Sequence, residues 1–405
     1  MRTIVFIESN KSGSSREAIK AAERLGYFTV LFTNKQRFIQ QRTEFPEVHQ
    51  MILVELSNDA EVRKNLNQLK GQGKQIKGIF SFVHSYVYLA AVLAEEYCTS
   101  AVSTNSILKM ENKVLTRELL KGHPNSPYYE LYNPDDYSLE YFIGLAKEYL
   151  PLIVKCPTSA GSKDVILVND EKQLKLAMQE LLKKHEQILV EEYLEGPQYL
   201  IEVLVHKGKV HIAAILEQQI TLFQRFIVTG YCLLPQINQR MYNRIYDAVS
   251  SILQAFQMRN GACHLEMRFV NGEWKLIEIN PRISGGAMNR IIEVGYGINL
   301  VEETIQLMLG NEPNLTRKHS KYVYAHYLTV DSKGKLNKVT GKELSSQYPG
   351  VEEVYIKPRK GQIVRPPISM GDRCGYILAS SNYKSEAKRM ATQAASQITF
   401  YIDPL

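Results

Sequence analysis

Two glutamates, an asparagine and an arginine lie close together between residues 264 and 286, in a pattern able to hold a divalent cation. Polar and apolar side chains alternate in HLEMRF, residues 264–269, and again in LIEIN, residues 276–280. Such alternation is typical of a half-buried strand. Hard cations such as Mg²⁺ prefer oxygen ligands and usually take one or two protein carboxylates together with phosphates. The pattern therefore predicts a β-hairpin whose polar face holds a metal ion through its carboxylate and amide oxygens.

The turn of this hairpin decides whether the two glutamates share a face. A two-residue Asn271-Gly272 turn would pair Glu266 with Ile277 and place Glu266 and Glu278 on opposite faces. A three-residue loop with Gly272 in the left-handed region would shift the register by one residue. We therefore predict the three-residue, bulged hairpin and expect a two-residue turn to abolish the metal site. The alternative is an ordinary solvent-exposed polar face.

The composition describes a chain able to bury a large core, with 405 residues of which 44% are hydrophobic. No run of about 18 apolar residues occurs and no basic leader precedes the first strand-like segment, TIVFIES, so we expect a cytoplasmic protein without a membrane segment. The five cysteines are scattered, which favours free thiols. The net charge of +7 is spread along the chain, so nucleic-acid binding is not expected.

Hydrophobic periodicity predicts an α/β protein of four units. A strand-helix-strand opening and the segment GIFSFVHSYVYLAAVLAEEY indicate an open, Rossmann-like α/β domain over 1–105. Loops at the carboxyl ends of strands bind ligands in such sheets, so His84 is a candidate substrate contact, with an ordinary loop histidine as the alternative. Two central units, 106–190 and 191–315, precede a mixed α/β unit over 316–405.

Four elements follow one another through the centre of the chain. They are Lys113 in a helix, Lys155 on an apolar strand before a small-residue loop, the acidic segment EEYLEG at 191–196, and the hairpin that leads to Arg282. This order resembles the ATP-grasp superfamily of carboxylate-amine ligases over residues 106–310. The resemblance implies an α/β ATP-grasp fold, ATP as the nucleotide, and two Mg²⁺ ions for which Mn²⁺ could substitute.

The resemblance also implies where the nucleotide lies. Small residues in the loop 158–164 would let backbone N–H groups approach the phosphates. The loop residues expected to do so are Ser159, Gly161 and Ser162. The adenine would lie against the backbone around Glu192 to Leu194. The ribose would be bound by Glu191 or by Gln198, which stands where family members often have an acidic residue.

The same resemblance implies the groups that act on the phosphates. Lys113 and Lys155 would contact the phosphates, although solvated surface charge is the usual alternative for lysine. Arg282 would neutralise charge on the transferring phosphoryl group, so Arg282 and Lys155 are the expected catalytic residues. The metal ligands would be Glu266, Glu278 and Asn280.

Within the superfamily, the block FIVTGYCLLP at 226–235 and the overall layout resemble the Bacillus-type L-amino-acid ligases of dipeptide-antibiotic pathways such as bacilysin and rhizocticin. Related enzymes often read Phe-x-Glu-x-Gly-His in this block. Here Val228 replaces the Glu and Tyr231 replaces the His. Because these positions line the substrate pocket in relatives, the replacements imply a different amino-acid preference.

Several residues are candidates for contacts with amino-acid substrates. Arg268 and His264 share the polar face of the hairpin and either could hold a carboxylate, whereas pairing of Arg268 with a glutamate is the alternative. A cationic first substrate would require an acidic residue, for which Asp372 is a candidate. By analogy with relatives, a homodimer is expected. The full set of expected substrate contacts is His84, Tyr231, Arg268, Ser284, Gly285 and Gly286.

Three functions are compatible with these residues. The first is dipeptide formation from two free amino acids, in which ATP converts a carboxylate to an acyl phosphate that an amine then attacks. The second is another ATP-grasp ligation or a carboxylation of a small molecule. The third is ATP binding without turnover, because a fold does not determine a function. The complete set of metal and phosphate ligands argues against the third.

Overall fold

The computed structural model describes residues 1–98, 102–157 and 164–405, with strands in four sheets. The described strands, β1 to β19 in chain order, are Arg2–Ile7, Phe28–Thr33, Gln50–Leu53, Gln75–Phe80, Tyr129–Tyr132, Leu152–Lys155, Val165–Val168, Ile188–Glu192, Gln198–His206, Lys209–Leu222, Phe226–Leu233, Gly261–Val270, Glu273–Asn280, Tyr322–Leu328, Gly334–Thr340, Val351–Ile356, Ile363–Val364, Gly375–Ser381 and Thr399–Pro404. The described α-helices, α1 to α13, are Ser14–Arg24, Gln36–Gln40, Asp59–Gly71, Val87–Tyr97, Thr104–Glu111, Lys113–Leu119, Leu139–Ala146, Glu171–Leu182, Gln239–Ala255, Met288–Tyr296, Leu300–Met308, Lys342–Ser346 and Lys384–Ala395.

The first sheet is parallel and has the strand order β3-β2-β1-β4. Parallel neighbours need crossover connections, which α1, α2 and α3 supply. Strands β1 and β2 are buried almost throughout, as expected for a sheet covered on both faces. The open α/β arrangement predicted for the start of the chain is confirmed. His84 lies just beyond the carboxyl end of β4, in a short 3₁₀ turn.

The second sheet is antiparallel, with the order β5-β8-β6-β7, and α7 and α8 pack against it. The third and largest sheet has the order β13-β12-β9-β10-β11-β14-β18-β16. Its strands β14, β16 and β18 come from the last 85 residues, so this sheet crosses the expected boundary at 315/316. A small sheet, β17-β15-β19, lies beside it.

Strand β9 lies between β12 and β10 in the large sheet, and every one of its residues is buried. Ile201, Val203 and Val205 pack on one face, together with the apolar side of α9. Leu200 and Leu204 pack on the other face, with α10, α11 and the N-terminal sheet. A strand covered on both faces reads as a nearly continuous apolar run, and YLIEVLV is such a run with one glutamate in it. Among the described residues, no helix is both long enough and apolar enough to cross a membrane.

The predicted three-residue turn of the β12–β13 hairpin is wrong. Val270 pairs with Glu273, so the turn has two residues, and both Asn271 (φ 50°) and Gly272 (φ 84°) have positive φ as a type I′ turn requires. The register nevertheless shifts further along, between Glu266 and Met267 of β12. A bulge, which adds one unpaired residue to one strand, brings Glu266 opposite Glu278.

Candidate active site

A cleft lies between the second sheet and the large sheet. Its apolar wall includes Ile153, Val165, Ile220, Phe226 and Met370, and its charged groups converge from both sheets. An apolar cleft with a few convergent polar groups is the usual form of a small-molecule site. Nine of the residues expected from the sequence line this cleft: Lys113, Lys155, Glu191, Glu192, Leu194, Gln198, Glu266, Arg268 and Glu278.

The bulge in β13 brings two carboxylates together at the floor of the cleft. Glu266 and Glu278 are direct cross-strand partners. Burial and the facing Glu278 raise the pKa of Glu266 to about 7. Burial also opposes ionisation of Glu278, but the ammonium groups of Lys113 and Lys155 lower its pKa overall. A positive charge next to the two carboxylates therefore favours their ionised forms.

This donor set fits a hard divalent cation. Two carboxylates that disfavour each other's ionisation would both ionise beside a bound cation. Asn280, the partner of His264 two residues beyond Glu278, is buried and adds an amide at the same end of the hairpin. In the described part of the chain, no group of three or more His, Cys, Asp or Glu side chains could hold a metal. The remaining ligands would therefore come from phosphates.

Lys113 is placed by the start of α6. The Asn112 side chain accepts hydrogen bonds from the backbone N–H groups of Val114 and Leu115 and so caps the helix. This cap fixes Lys113 as the first residue of the helix, and its Nζ lies 3.6 Å from Glu278 Oε1. Its ammonium group therefore lies beside one of the two facing carboxylates of the hairpin.

Lys155 belongs to a buried ion-pair network that the sequence did not reveal. Its Nζ donates to Glu191 Oε2 at 2.6 Å, while Arg117 Nε donates to Glu191 Oε1 at 2.6 Å. Arg117 Nη2 also donates to the carbonyl of Ile277, at 2.7 Å, where the bulge lies. All three charged side chains are buried. The ribose role considered for Glu191 does not fit this arrangement, because both of its oxygens hold the cations in place.

Arg268 links the large sheet to the segment after β8, and Gln198 connects Arg268 to Glu266 within the large sheet. Gln198 Nε2 donates to Glu266 Oε2 at 3.0 Å, and Arg268 Nε donates to Gln198 Oε1 at 3.0 Å. Arg268 also donates to the carbonyl of Leu194. Among the described residues, Arg268 forms no ion pair with a glutamate. Its hydrogen bonds to Gln198 and to the Leu194 carbonyl already use the donors expected to hold a substrate carboxylate. Its role in this structure is to tie the segment after β8 to the floor of the cleft.

Arg282 is not among the described residues that line the cleft; it lines a second, mainly apolar cavity with residues such as Ser81 and Ile283. Its Nη1 donates to the Ile283 carbonyl at 2.9 Å, and its buried Nε has no hydrogen-bond partner among the described residues. Burial lowers the Arg282 pKa, whereas the negative charges of Glu202 and Glu278 oppose that shift. Arg282 therefore carries a positive charge that Glu202, Glu278 and Glu111 stabilise, while its buried Nε lacks a hydrogen-bond partner among the described residues.

Two histidines near Arg282 stay neutral at pH 7. Burial and the Arg282 charge lower the pKa of His264 to about 3, and its Nδ1 lies 2.7 Å from the Arg282 carbonyl. Burial and Arg282 also lower the pKa of His84, whose Nδ1 is buried without a partner among the described residues. A neutral imidazole adds no charge to hold a carboxylate, so His264 is a positioning residue for the Arg282 backbone.

The remaining expected contacts are dispersed. The Ser284 backbone N–H and hydroxyl both donate to the buried Glu202 carboxylate. Tyr231 is buried with its ring against Tyr327, at 5.8 Å between centroids. Asp372 accepts from Ser369 and from Arg365 in a capping arrangement, which leaves no carboxylate for a cationic substrate. Gly286 lines a third cavity, and Gly285 precedes it in the chain. The expected phosphate-loop residues lie outside the described residues; they are Ser159, Gly161 and Ser162.

The Glu202 carboxylate gives a pH-dependent prediction. Burial raises its pKa from an ordinary 4.5 to about 7, despite the hydrogen bonds from Ser284. Because the folded state binds this proton more tightly, the contribution of Glu202 to stability is largest below pH 4.5 and is lost as the pH rises through 7. We expect Glu202→Gln to remove this dependence, so urea unfolding should show the variant gaining on the wild type between pH 5 and pH 8. A constant difference across that range would contradict the prediction.

Three families of known protein domains match parts of this chain. An ATP-grasp N-terminal domain family matches residues 19–97, an ATP-grasp domain family matches 148–290, and the family L-amino acid ligase C-terminal domain 2 matches 326–403. The chain therefore carries ATP-grasp domains over residues 19–97 and 148–290. Its enzyme class is that of the ATP-dependent carboxylate-amine ligases. The resemblance drawn from Lys113, Lys155 and the hairpin is thereby confirmed at the level of the family.

Individual relatives are distant. This ATP-grasp chain is 24% identical to the uncharacterized protein y4rH of Sinorhizobium fredii, over all of this chain and 84% of that protein. It is 25% identical to the L-arginine-specific L-amino acid ligase of Bacillus subtilis, over 53% of this chain and 54% of that protein. The crystal structure of L-amino acid ligase from Bacillus licheniformis superposes with a TM-score of 0.81 at 21% identity, covering 100% of this chain and 99% of that one. The predicted ATP-grasp fold is confirmed.

Proposed function

We propose that this ATP-grasp enzyme joins two free L-amino acids into a dipeptide and releases ADP and phosphate. The observation that carries the proposal is the position of the C-terminal segment matched to L-amino acid ligases. Met370, within that segment, lines the cleft that contains Glu266 and Glu278. The C-terminal segment would therefore contribute a substrate site that opens directly onto the phosphate site.

The charged residues of the cleft suit the phosphoryl-transfer half of the reaction. A carboxylate is a poor electrophile at neutral pH, so one of its oxygens must first take the γ-phosphoryl group of ATP. Lys113 and Lys155 would contact the phosphates from the two sides of the cleft. Mg²⁺, held by Glu266, Glu278 and Asn280, would supply Lewis-acid stabilisation of the phosphate charge when bound. The number of ions, and the use of Mn²⁺, stay predictions.

Arg282 suits the second half of the reaction. In the acyl phosphate the carbonyl carbon is open to attack by the amine of the second amino acid, and phosphate then leaves. Negative charge develops on the carbonyl oxygen and the phosphate, and a fixed guanidinium stabilises it without reorganisation. Arg282, beside Glu278 and held by its own loop, is the candidate for this role. Homodimer formation and a cytoplasmic location stay predictions.

A second candidate is ligation of another small carboxylate and amine, or carboxylation. It is favoured by the block 226–235, in which Val228 and Tyr231 stand where related enzymes often have Glu and His. In the structure Val228 lines the cleft and Tyr231 is buried against Tyr327. Neither side chain offers the charge of the residue it replaces, so the substrates could differ from free amino acids.

Phosphate release from MgATP, measured with all twenty L-amino acids singly and in pairs, tests the proposal. We expect release that requires two amino acids and a product at their summed mass minus water. Glu278→Ala should abolish both signals, because it removes one of the two facing carboxylates. Glu273→Ala is the matched control, since Glu273 lies on the same strand but is exposed and pairs with Lys275 at 3.3 Å.

The same assay separates the two candidates. Absence of amino-acid-dependent release, in a protein that binds MgATP, would reject dipeptide formation. Bicarbonate and other carboxylate-amine pairs would then be tested with the same Glu278→Ala blank.

A further inference from the structure

A cavity rich in tyrosine adjoins the phosphate cleft. We call it the tyrosine cavity; its walls include Tyr327, Tyr355, Tyr376, Lys357, Arg373 and Gly286. Met370 lines both the tyrosine cavity and the phosphate cleft. A molecule in the tyrosine cavity would therefore lie next to a molecule in the cleft.

The charge of the tyrosine cavity is positive. Arg373 and Lys357 line it, and no acidic side chain is among its described lining residues. The nearby Glu353 is already engaged, since it accepts from the Tyr376 hydroxyl at 2.7 Å and from Arg290 Nε at 3.1 Å. The cavity therefore favours an anion and disfavours a cationic side chain.

Arg373 is held in place by neutral groups. Its Nε donates to the Met370 carbonyl at 3.1 Å and its Nη1 to the Val228 carbonyl at 3.1 Å. The guanidinium also lies over the Tyr327 ring, 3.7 Å from the centroid. Carbonyls and an aromatic face orient an arginine without neutralising its charge. Arg373 thus presents a fixed positive charge at the junction between the two cavities.

Three tyrosines form one aromatic wall of the cavity. The rings of Tyr355 and Tyr376 are in contact at 5.2 Å between centroids, and those of Tyr327 and Tyr376 at 5.9 Å. Gly286 has a φ of +68°, and a Cβ there would lie 3.5 Å from the Tyr327 hydroxyl. Glycine at this position therefore keeps the side of the cavity facing Tyr327 open. Aromatic walls suit an apolar or aromatic side chain, and the positive charges of Arg373 and Lys357 disfavour a cationic one.

We propose that the tyrosine cavity binds the amino acid that supplies the amine, with its α-carboxylate paired to Arg373 and Lys357 and its uncharged side chain against the tyrosines. This inference rests on the proposed dipeptide reaction. In that reaction the amine must reach an acyl phosphate in the cleft, while the negative charge of its own carboxylate must be neutralised. Of the arginines considered for this task, Arg268 is occupied by Leu194 and Gln198, whereas Arg373 faces the cavity.

The test compares each amine substrate with its carboxamide. L-alanine, L-phenylalanine and L-arginine would be assayed as amine substrates beside L-alaninamide and L-phenylalaninamide, by ADP release and product mass. We expect the wild type to prefer the carboxylates of alanine and phenylalanine over their amides by about tenfold or more and to use arginine poorly, because hydrogen bonds to charged groups are strong. Arg373→Gln should raise the KM for the amine substrate about tenfold and reduce the carboxylate preference to below about threefold. The KM for MgATP should not change.

Lys357→Gln removes the second positive charge of the tyrosine cavity. Because Lys357 is exposed, this variant is expected to fold even if Arg373→Gln does not. Arg359→Gln, an exposed arginine two residues away, is the matched control and should keep the wild-type preference. The ratio of carboxylate to amide does not depend on the fraction of folded enzyme, so a purely structural role would leave it unchanged. Dipeptide formation in which both variants keep the wild-type ratio would overturn the inference and leave the proposed function intact.

Absence of turnover with every amino acid would instead reject the proposed function. Calorimetric titration of L-phenylalanine and L-phenylalaninamide into the wild type and Lys357→Gln would then decide the cavity alone. Tighter binding of the carboxylate, reduced in the variant, would support an anion site. Equal binding of the two compounds, or no binding, would overturn it.

Discussion

Replacement of Arg282 by alanine is expected to lower kcat/KM for the ATP-dependent reaction by about 10² to 10³-fold. The expected loss is large because the guanidinium is buried beside Glu278 and its Nε has no hydrogen-bond partner among the described residues. A fixed charge of this kind stabilises negative charge that develops in the transition state. Binding of MgATP should change much less, because Lys113, Lys155 and the metal ligands are unaltered.

Steady-state kinetics and MgATP titration of the same preparations check this expectation. Arg282→Lys keeps a positive charge but loses the planar fork, so its activity should fall between those of the wild type and Arg282→Ala. Arg240→Ala, an exposed arginine in the first turn of α9, is the matched control and should stay within about twofold of the wild type. A loss under threefold in Arg282→Ala would remove Arg282 from the proposed mechanism.

Local sequence pattern predicts the strands of the β12–β13 hairpin but not its turn or its bulge. Alternation identified both strands and their polar faces, because side-chain direction has a period of two. The prediction of a three-residue turn is wrong because the strand register shifts at a bulge at Ile277 and not in the loop. A bulge depends on tertiary partners, here the Arg117 guanidinium that binds the Ile277 carbonyl. No pattern within the hairpin itself indicates such a partner.

Charged residues in apolar strands were the most informative local signal. Lys155 was identified in this way, and Glu202 is the one charged residue inside YLIEVLV, so the same reasoning would have found it. Arg117 gave no such signal, since an arginine in a short helix is ordinarily solvated. Its burial results from the packing of α6 between the two central sheets, which a single sequence does not show.

Contacts between distant segments were the least predictable. The sequence predicts that Arg268 and Gln198 contact substrate or nucleotide; both line the cleft, but Arg268 donates to Gln198 and to the Leu194 carbonyl, contacts that no local pattern indicates. Nothing in the local sequence indicates Arg373, because its position depends on the pairing of β11 with β14 and of β14 with β18. Long-range strand pairing brings Arg373 to Val228, and no local periodicity encodes that neighbour.

Glu191→Ala is expected to lower the free energy of unfolding by about 3–5 kcal/mol, because it leaves two buried cations without their shared anion. Arg117 and Lys155 are both nearly inaccessible to solvent, and each donates to Glu191. Burial lowers the pKa of Lys155, Glu191 opposes that shift, and the positive charge of Arg117 lowers the pKa further. Without Glu191 the two cations would repel each other in a medium that cannot solvate them. Urea unfolding at pH 7 measures the loss.

The next residue supplies the control. Glu192→Ala should cost about 1 kcal/mol, since Glu192 Oε1 accepts one hydrogen bond, from the Tyr128 backbone at 2.9 Å. Equal losses in Glu191→Ala and Glu192→Ala would contradict the role of the buried network.

A triple replacement separates stability from chemistry. Apolar side chains in place of a buried ion network are often neutral or stabilising, so Arg117→Met/Lys155→Met/Glu191→Leu should recover most of the stability lost in Glu191→Ala. The same variant should turn over ATP poorly, because no ammonium group remains at position 155 to meet the phosphates. A stable but inactive triple variant would show that the network exists to hold Lys155 charged at the cleft. A triple variant that is both stable and active would assign the network to stability alone.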